Sequence, residues 1–238
     1  MRKLTLDRIL QSQGFGSRKG CRALVRDGAV SVGGAVVTTF HEPLASEGLS
    51  FTVHGEPWDY HEHLYLALHK PPGYECSRKP SHHPGVLSLM PEQFTWRETQ
   101  PVGRLDHDTT GLLLLSDDGA FIHAHTSPRR QVPKVYIATV EAPVDEALAG
   151  QLLDGVQLDD EPAPIRVDGC RRLDEHRLEI VLVQGKYHQV KRMLAAAGNH
   201  CTGLHRASIG GLRLDALGLA PGEWCHLAPA QLEALAGT

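Results

Sequence analysis

The stretch GRLDHDTTG, from Gly103 to Gly111, runs directly into four leucines, Leu112–Leu115, and then into the turn-forming residues SDDG. A short apolar run that ends in a turn predicts a buried strand. The preceding loop holds an arginine and two aspartates between glycines, and a rigid strand at its end keeps such carboxylates in place. We therefore interpret residues 103–111 as a candidate catalytic loop, with Asp106 and Asp108 as the candidate acids.

Two later segments have the pattern of β-strands. Residues 134–140, KVYIATV, alternate in a way that places Lys134 and Tyr136 on the same face. Residues 177–183, RLEIVLV, form another β-rich run, which contains Leu182. Because a strand projects alternate side chains to opposite faces, Lys134 and Tyr136 can act together at one surface of the sheet.

The segment from His188 to Ala197 predicts an amphipathic helix that ends at Gly198. Its apolar residues fall on one side. The basic residues His188, Lys191 and Arg192 lie at i, i+3 and i+4 on the opposite side. From the pattern alone, a solvent-facing surface is the more frequent explanation of such a basic face, so its role stays open at this point.

The first 26 residues contain many basic side chains and a single acid, Asp7. A predicted helix begins after Ser17, a favourable N-cap, and places Arg18, Arg22 and Arg26 on one stripe. A β-hairpin with a Gly-Gly turn follows. A local basic face matters more to phosphate than the net charge of −4. A solvated helix face is the alternative.

Composition restricts the class of protein. Of the 238 residues, 41% are hydrophobic and 22% are charged, as in soluble proteins, and no apolar run approaches the ~20 residues of a membrane span. No secretory signal is expected, because the first residues are charged. Five scattered cysteines without a C-x-x-C pair favour reduced thiols in the cytoplasm. The histidine pairs lack further ligands at suitable spacing, so we expect no metal site.

The order of motifs in roughly the first 55 residues, LDRIL, then GFGSR, then CRALVRDGAVSVGG, resembles the S4 RNA-binding domain. The resemblance implies that two basic helices dock on structured RNA through its backbone and shape. Residues 55–63 are polar and turn-prone, and we interpret them as a linker. The predicted domains are residues 1–60, an S4-like RNA-binding domain, and residues 61–238, a catalytic domain.

The rest of the chain resembles the pseudouridine synthases. Four motifs occur in the order found in that family: KPPG from Lys70, GRLDHDTTG from Gly103, KVY from Lys134 and GKYHQVKRM from Gly185. The DTTG ending, YHQVKRM and LHRASIGG are most similar to members that act on small-subunit (16S) ribosomal RNA. The resemblance implies an α+β fold, with a small S4-type α/β domain followed by a synthase domain. That second domain has a mixed, largely antiparallel sheet flanked by helices, with the active cleft across its middle.

The resemblance also implies roles for single residues. Asp106 is the catalytic aspartate, and Asp108 supports the loop. Lys191, with Arg192 next in line, supplies the cation that stabilises the ionised form of Asp106. The other expected active-site residues are Tyr136, which stacks on a flipped uracil, Leu182, which closes the other side of the pocket, Lys134 beside Tyr136, and Arg104, which fills the position that the base vacates.

We expect RNA contacts from Arg18, Lys19, Arg22 and Arg26 in the first domain and from Lys70, Lys186, His188 and Gln189 in the second. The expected partner is ribosomal RNA or a small-subunit assembly intermediate, bound by a cytoplasmic monomer that uses no cofactor and no metal. Three alternatives remain. A sister synthase would act on large-subunit rRNA, and a non-catalytic S4 protein would only bind RNA or ribosomes. A metal- or cysteine-dependent hydrolase is the third, although the chain lacks its ligand clusters.

Overall fold

The computed structural model describes residues 3–236, which form two compact units. Unit 1 comprises the residues up to Leu64 together with Leu87–Gln100, and unit 2 comprises Tyr65–Val86 and the residues from Pro101 onward. The strands are β1 (Lys3–Thr5), β2 (Val30–Val32), β3 (Ala35–Val36), β4 (Pro43–Ala45), β5 (Ser50–Val53), β6 (Glu56–Asp59), β7 (Tyr65–Lys70), β8 (Gln100–Val102), β9 (Thr110–Ser116), β10 (Lys134–Val140), β11 (Gly169–Arg172), β12 (Arg177–Leu182), β13 (Cys201–Ile209), β14 (Leu212–Arg213) and β15 (Trp224–His226). The helices are α1 (Leu6–Ser12), α2 (Arg18–Arg26), α3 (Glu92–Trp96), α4 (Gly119–Thr126), α5 (Glu146–Asp154), α6 (Gln189–Ala196) and α7 (Pro229–Ala236), with 3-10 turns at Val86–Leu89, Pro128–Arg130 and Asp215–Leu217.

Unit 1 contains the helix pair and the hairpin that the sequence predicts. Ser17 caps α2, because its side chain accepts a hydrogen bond from the backbone N–H of Gly20 at 3.2 Å. Gly33 and Gly34 join β2 to β3, and both have positive φ, which this tight hairpin turn requires. The apolar faces of α1 and α2 share one core with the strands, formed by Leu6, Ile9, Leu10, Cys21, Val25, Val30, Phe51 and Val53.

Residues 55–63 are not simply a linker, contrary to the sequence prediction. Glu56–Asp59 form β6, which pairs antiparallel with β5. Trp58 of this strand packs edge-on against Phe15, with ring centroids 5.2 Å apart. The polar composition hid the strand because β6 lies at the edge of its sheet and exposes most of its side chains.

Residues 87–100 pack in unit 1, although the sequence prediction assigns them to the second domain. α3 buries Phe94, whose ring centroid lies 5.9 Å from that of Trp58. A Cβ at Gly14 would lie 2.1 Å from the carbonyl oxygen of Gln93, so this approach requires glycine. The domain division at residue 60 stays a prediction, and the compact units depart from it in residues 61–64 and 87–100. The segment has no hydrophobic period, so its packing could not be read from the sequence.

Unit 2 is built on a nine-stranded sheet. Seven of its strands follow the order β11-β12-β10-β13-β9-β7-β15, while β14 pairs with β13 and β8 pairs with β9. β13 and β9 run parallel, whereas β10, β11, β12, β7, β14 and β15 join their neighbours in antiparallel pairs. The helices α4, α5, α6 and α7 contact this sheet. The mixed, largely antiparallel sheet flanked by helices is thereby confirmed.

Two apolar clusters hold unit 2 together. One joins β10 and β12 to α5 and α6 and includes Leu182 and Val190. The other joins β7, β9 and β13 and includes Leu114 and Ile209. Leu112–Leu115 are completely buried, as the sequence predicts, and burying each leucine side chain stabilises the fold by about 1.5–3 kcal/mol. The strand that follows the catalytic loop is therefore a firm anchor.

β9 and β13 approach each other closely where the catalytic loop ends. Gly111 pairs in parallel register with Arg206 and has a φ of 107°. A Cβ at Gly111 would lie 2.3 Å from the carbonyl oxygen of Arg206. Glycine is therefore required at the end of the motif for both reasons, the backbone angle and the close approach.

Two further expectations concern membranes and disulfides. No helix among residues 3–236 is long and apolar enough to cross a membrane. All five cysteines carry free thiols, and Cys21 is buried in the core of unit 1. Burial raises the pKa of Cys21 to about 11, so this thiol is a packing residue and not a nucleophile.

Candidate active site

A buried lysine holds the backbone of the candidate catalytic loop in place. Lys70, the last residue of β7, is completely buried. Its ammonium donates hydrogen bonds to the carbonyl oxygens of Pro71, His107 and Thr109 at 3.1, 3.0 and 2.8 Å. Burial lowers the pKa of Lys70. The structure contradicts the expected RNA contact from Lys70, because its charged group is enclosed by the carbonyls that shape the loop.

Asp106 lies beside two basic side chains from the start of α6. Lys191 Nζ is 3.2 Å from Asp106 Oδ2, and His188 Nε2 is 3.2 Å from Asp106 Oδ1. Lys191 also donates to both carboxylate oxygens of Asp108, at 2.7 and 2.9 Å. The side chain of Asp106 is 26% exposed and that of Asp108 is 55% exposed. The basic face of the helix therefore faces the catalytic loop, and Asp106 is the more enclosed of the two acids.

Lys191 and Asp108 stabilise each other's charged forms. Partial burial opposes the charge of Lys191, but the hydrogen bond to Asp108 and the attraction of Asp106 raise the pKa of Lys191. Burial likewise opposes ionisation of Asp108, but the hydrogen bonds from Lys191 lower the pKa of Asp108. A charged ammonium therefore lies against both carboxyl groups at neutral pH, as stabilisation of an ionised Asp106 requires.

His188 was expected to contact RNA, and the structure brings it to Asp106. It precedes α6 with φ 47° and ψ 33°, in the left-handed region, and its ring stacks on Tyr187 with centroids 3.8 Å apart. A non-glycine residue in this region costs on the order of 1–3 kcal/mol, and such positions concentrate at functional sites. In this backbone conformation the His188 ring contacts Asp106, which is a functional reason for a residue other than glycine to adopt it.

A cavity of about 360 Å³ opens beside Asp106. Leu182 lines it from β12 and is almost completely buried, while the half-buried Tyr136 lines it from β10. Arg104 lines it from the catalytic loop and is exposed. A volume of this size is ordinary for a small-molecule site. The cavity crosses the middle of the sheet, because β9, β10, β12 and β13 all contribute to its wall.

Arg206, on β13, is a wall residue to which the sequence analysis gave no role. It is 3% exposed, and its Nε donates to the carbonyl oxygen of Leu112 at 2.7 Å. Its Nη1 lies 3.5 Å from the hydroxyl oxygen of Tyr136, and its Nη2 has no hydrogen-bond partner within residues 3–236. The sequence does contain a signal for Arg206: it is an arginine inside a strand whose neighbouring residues pack in the core.

Lys134 shares the cavity wall with Arg206. Its ammonium donates to the carbonyl oxygen of Val132 at 2.7 Å. Burial, with the nearby positive charge of Arg206, lowers the pKa of Lys134 to about 8. Lys134 and Tyr136 both line the cavity, as the strand alternation predicts.

Three other residues of the GKYHQVKR segment already have partners within the protein. Arg192 pairs with Asp160 and does not reach Asp106, because successive helix residues point about 100° apart. Gln189 lines the cavity but is only 4% exposed, and its side-chain oxygen already accepts from the backbone N–H of Lys186 at 3.0 Å. Lys186 pairs with Glu161 at the cavity.

The predicted arginine stripe forms a basic surface in unit 1, which we define as Arg18, Lys19, Arg22 and Arg26. These side chains line one surface pocket together with Phe40. The guanidinium of Arg22 lies 5.0 Å above the Phe40 ring, a cation–π contact. The exposed fractions of the Arg18 and Arg22 side chains are 43% and 40%, so both can reach a phosphate.

Asp7 holds two of these arginines in place. It is buried, and its Oδ2 accepts from the Nε atoms of Arg18 and Arg22, both at 2.8 Å. Burial opposes ionisation, but hydrogen bonds from Thr5 and from both arginines hold the pKa of Asp7 well below its usual range. Asp7, the only acid among the first 26 residues, thus holds Arg18 and Arg22 of the basic surface in place.

Comparisons with known proteins agree with this arrangement. The family profile described as RNA pseudouridylate synthase matches residues 64–196, and the S4 domain profile matches residues 4–41. The chain is 39% identical over 222 residues to the Ribosomal small subunit pseudouridine synthase A of Escherichia coli K12, covering 93% of this chain and 95% of that protein. It is 35% identical over 237 residues to the Uncharacterized RNA pseudouridine synthase YtzG of Bacillus subtilis, covering 98% of each.

A solved structure is similar over nearly the whole chain. The crystal structure of a pseudouridylate synthase superimposes with a TM-score of 0.68 at 33% identity, covering 98% of this chain and 99% of the other. The profile match includes both the catalytic loop and the α6 residues that contact Asp106. This chain carries an S4 domain and a synthase domain whose cavity contains Asp106, and it belongs to the RNA pseudouridylate synthase family.

Proposed function

We propose that this enzyme converts a specific uridine of small-subunit (16S) ribosomal RNA to pseudouridine, with Asp106 as the catalytic aspartate. The observation that carries the proposal is that Asp106 and Tyr136 line one cavity while Lys191 pairs with Asp106. The choice of small-subunit RNA rests on relatives from several bacteria that are 34–43% identical and are named ribosomal small subunit pseudouridine synthase A.

The reaction needs one carboxylate and no net redox change. The N1–C1′ bond of uridine breaks, the uracil turns, and a C5–C1′ bond forms. C5 then loses its proton and N1 gains one, so the nucleoside keeps its composition. Asp106 can act as a nucleophile at C1′ or as a base that removes a sugar proton. Either role needs the ionised carboxylate, which Lys191 stabilises at 3.2 Å. Asp108 anchors Lys191 from the other side and is a positioning residue.

A uridine within folded RNA reaches Asp106 only after it leaves its stack, which costs a few kcal/mol. Tyr136 recovers part of this cost by stacking on the flipped uracil, a contact worth about 1–3 kcal/mol. Leu182 closes the opposite wall with an apolar surface. Arg104, exposed at the cavity, fills the position that the base leaves in the RNA.

The basic surface of unit 1 supplies RNA affinity. Its four cations present charge to the phosphate backbone, and such contacts depend on salt and not on sequence. Lys186 lies at the cavity, where exchange of Glu161 for a phosphate would let it contact RNA. The proposed partner is 16S rRNA or an assembling small subunit, so the proposed site of action is the cytoplasm. Among the residues that the structure describes, those that line the cavity belong to unit 2, and we propose that a monomer suffices. We also propose that no cofactor takes part, because the reaction involves no net redox change.

Pseudouridine mapping in cells tests the proposal. Total rRNA from cells that lack the gene is compared with rRNA from cells complemented with the parent protein or with Asp106→Asn. We expect one position in 16S rRNA to lose its pseudouridine, and only the parent protein to restore it. Loss of a site in large-subunit rRNA would support the sister-enzyme alternative, and an unchanged rRNA map would contradict the proposed substrate.

A further inference from the structure

Two histidine rings form a flat stack at the edge of the catalytic loop. His83 and His107 lie with their ring centroids 4.4 Å apart and their planes 6° from parallel. His107 directly follows Asp106 in the chain, and both histidines are exposed. Neither ring lines the cavity. An aromatic surface therefore stands immediately outside the site that takes the uracil.

The backbone on each side of the stack is fixed. The carbonyl oxygen of His107 accepts from the N–H of Gly73 at 2.7 Å and from Lys70 Nζ at 3.0 Å. On the other side, the carboxylate of Glu75 accepts the backbone N–H groups of Ser81, His82 and His83 at 3.1, 2.9 and 2.9 Å. The two loops are already tied together by these hydrogen bonds, so the ring stack is not needed for that purpose.

The loop that carries His83 has a basic outer surface. Between Gly73 and Gly85 the only acid is Glu75, and its carboxylate is turned toward backbone N–H groups. The same loop exposes Arg78 and Lys79. Polyanions are attracted to such a surface, and among them only nucleic acid also offers flat rings to a histidine stack.

We propose that the His83–His107 stack is a binding surface for the nucleobase next to the target uridine in the substrate RNA. When the uridine leaves the helix, its neighbour loses a stacking partner, and an exposed imidazole beside Asp106 replaces it. This inference rests on the proposed function, because the target uridine must enter the cavity at Asp106.

Single-turnover kinetics on a synthetic RNA that spans the mapped uridine tests this surface. We expect His83→Ala and His107→Ala each to raise the RNA concentration for half-maximal rate, by about tenfold for the loss of one stacked base, while the maximal rate changes by less than twofold. His83→Phe and His107→Phe should restore binding, since they keep a flat ring. His200→Ala, an exposed histidine outside the cavity wall, is the matched control.

A change in the RNA separates stacking from a structural role. Replacing the neighbouring nucleotide by an abasic one should weaken binding to the parent enzyme about tenfold, and should have no further effect on the His83→Ala/His107→Ala double variant. Additive losses would overturn the proposal, as would a loss of maximal rate without a loss of binding, or a failure of phenylalanine to restore binding. If the parent enzyme made no pseudouridine in this RNA, the proposed function itself would fail, which is a different result.

Discussion

Lys191 Nζ lies 3.2 Å from Asp106 Oδ2 and, at the same time, 2.7 Å from Asp108 Oδ1. One ammonium therefore joins the catalytic loop to α6 through both carboxylates of the GRLDHDTTG motif. Asp106 and Asp108 therefore lie in different surroundings, although they share this ammonium. Asp106 faces the cavity and also contacts His188, whereas Asp108 is the more exposed and binds Lys191 through both oxygens.

Replacing each acid in turn should give unequal effects. We expect Asp106→Asn to abolish pseudouridine formation, because the amide is neither a nucleophile nor a base, and to leave RNA affinity within about threefold. Asp108→Asn keeps the cavity and should lower the rate by only about tenfold, the value of a weakened hydrogen bond to a charged group. Pseudouridine formation and filter binding measure the two quantities. Normal turnover by Asp106→Asn would contradict the assignment.

Replacing Lys191 should lower the rate of pseudouridine formation more than it weakens RNA binding. Lys191→Met removes the ammonium that both carboxylates share, and charged hydrogen bonds of this kind are worth about 1.5–3 kcal/mol. We expect the maximal rate to fall on the order of 10- to 100-fold, with Lys191→Arg retaining part of it. Arg192→Met is the control, since Arg192 pairs with Asp160 away from Asp106. Equal losses in both variants would count against a special role for Lys191.

The basic surface of unit 1 should govern the salt dependence of RNA binding. We expect Lys19→Ala/Arg26→Ala to weaken binding and to reduce the slope of log K against log salt by about 1–2, as for two lost phosphate contacts. Substitutions at Lys19 and Arg26 test RNA binding more specifically than Arg18→Ala/Arg22→Ala, because the latter also removes the two arginines that pair with Asp7. A buried carboxylate left unpaired destabilises the fold. An unchanged slope in both double variants would exclude this surface as the RNA contact.

Lys134 should make stability depend on pH in the alkaline range. Its pKa in the folded protein is about 8, below the usual value of 10.5. The unfolded chain therefore binds the additional proton between these values, and stability should rise with pH from about 8 to 10.5. Lys134→Met removes this rise. We expect its Tm to exceed that of the parent at pH 7 by about 2–4 °C, equivalent to ~1 kcal/mol, with the difference shrinking as the pH rises from 8 toward 10.5.

Thermal unfolding at several pH values measures this effect, with Lys79→Met as an exposed-lysine control. If the Tm difference between parent and Lys134→Met stayed constant from pH 7 to 10, the lowered pKa would be refuted.

Chelators should leave the reaction unchanged. Within residues 3–236, no three histidine, cysteine or acidic side chains are grouped so that they could hold a metal ion. We expect equal rates before and after dialysis against EDTA, measured on the same RNA preparation in magnesium-free buffer with monovalent salt adjusted to keep the RNA folded. Activity that disappeared with EDTA and returned with zinc would refute a metal-free mechanism.

Local pattern was sufficient for much of the fold. The capped α2, the Gly-Gly hairpin, the buried Leu112–Leu115 strand and the amphipathic α6 all rest on periodicity and turn chemistry, which act over a few residues. The prediction of a simple linker over 55–63 was wrong, and residues 87–100 pack in unit 1 although the predicted division places them in the second domain. Edge strands and aperiodic segments owe their packing to distant parts of the chain.

The residues of the candidate site divide in the same way. Asp106, Tyr136 and Lys191 were identified from motifs. Asp106 and Tyr136 do line one cavity, and Lys191 does pair with Asp106. Lys70, Gln189 and Arg192 could not be placed from their chemistry alone. A lysine in a KPPG motif is equally suited to phosphate and to three backbone carbonyls, and only the approach of the loop to β7 selects the carbonyls.

The sequence by itself determined the family of the protein, the acid-bearing loop and the strands and helix that surround it, because each of these is written in short, ordered motifs. Only the tertiary structure decided which cation neutralises which carboxylate, that Arg206 is buried in the cavity wall, and that His83 stacks on His107. These relationships join residues far apart in the chain, and a charged or aromatic side chain acquires its partner only when strands and loops bring the two together.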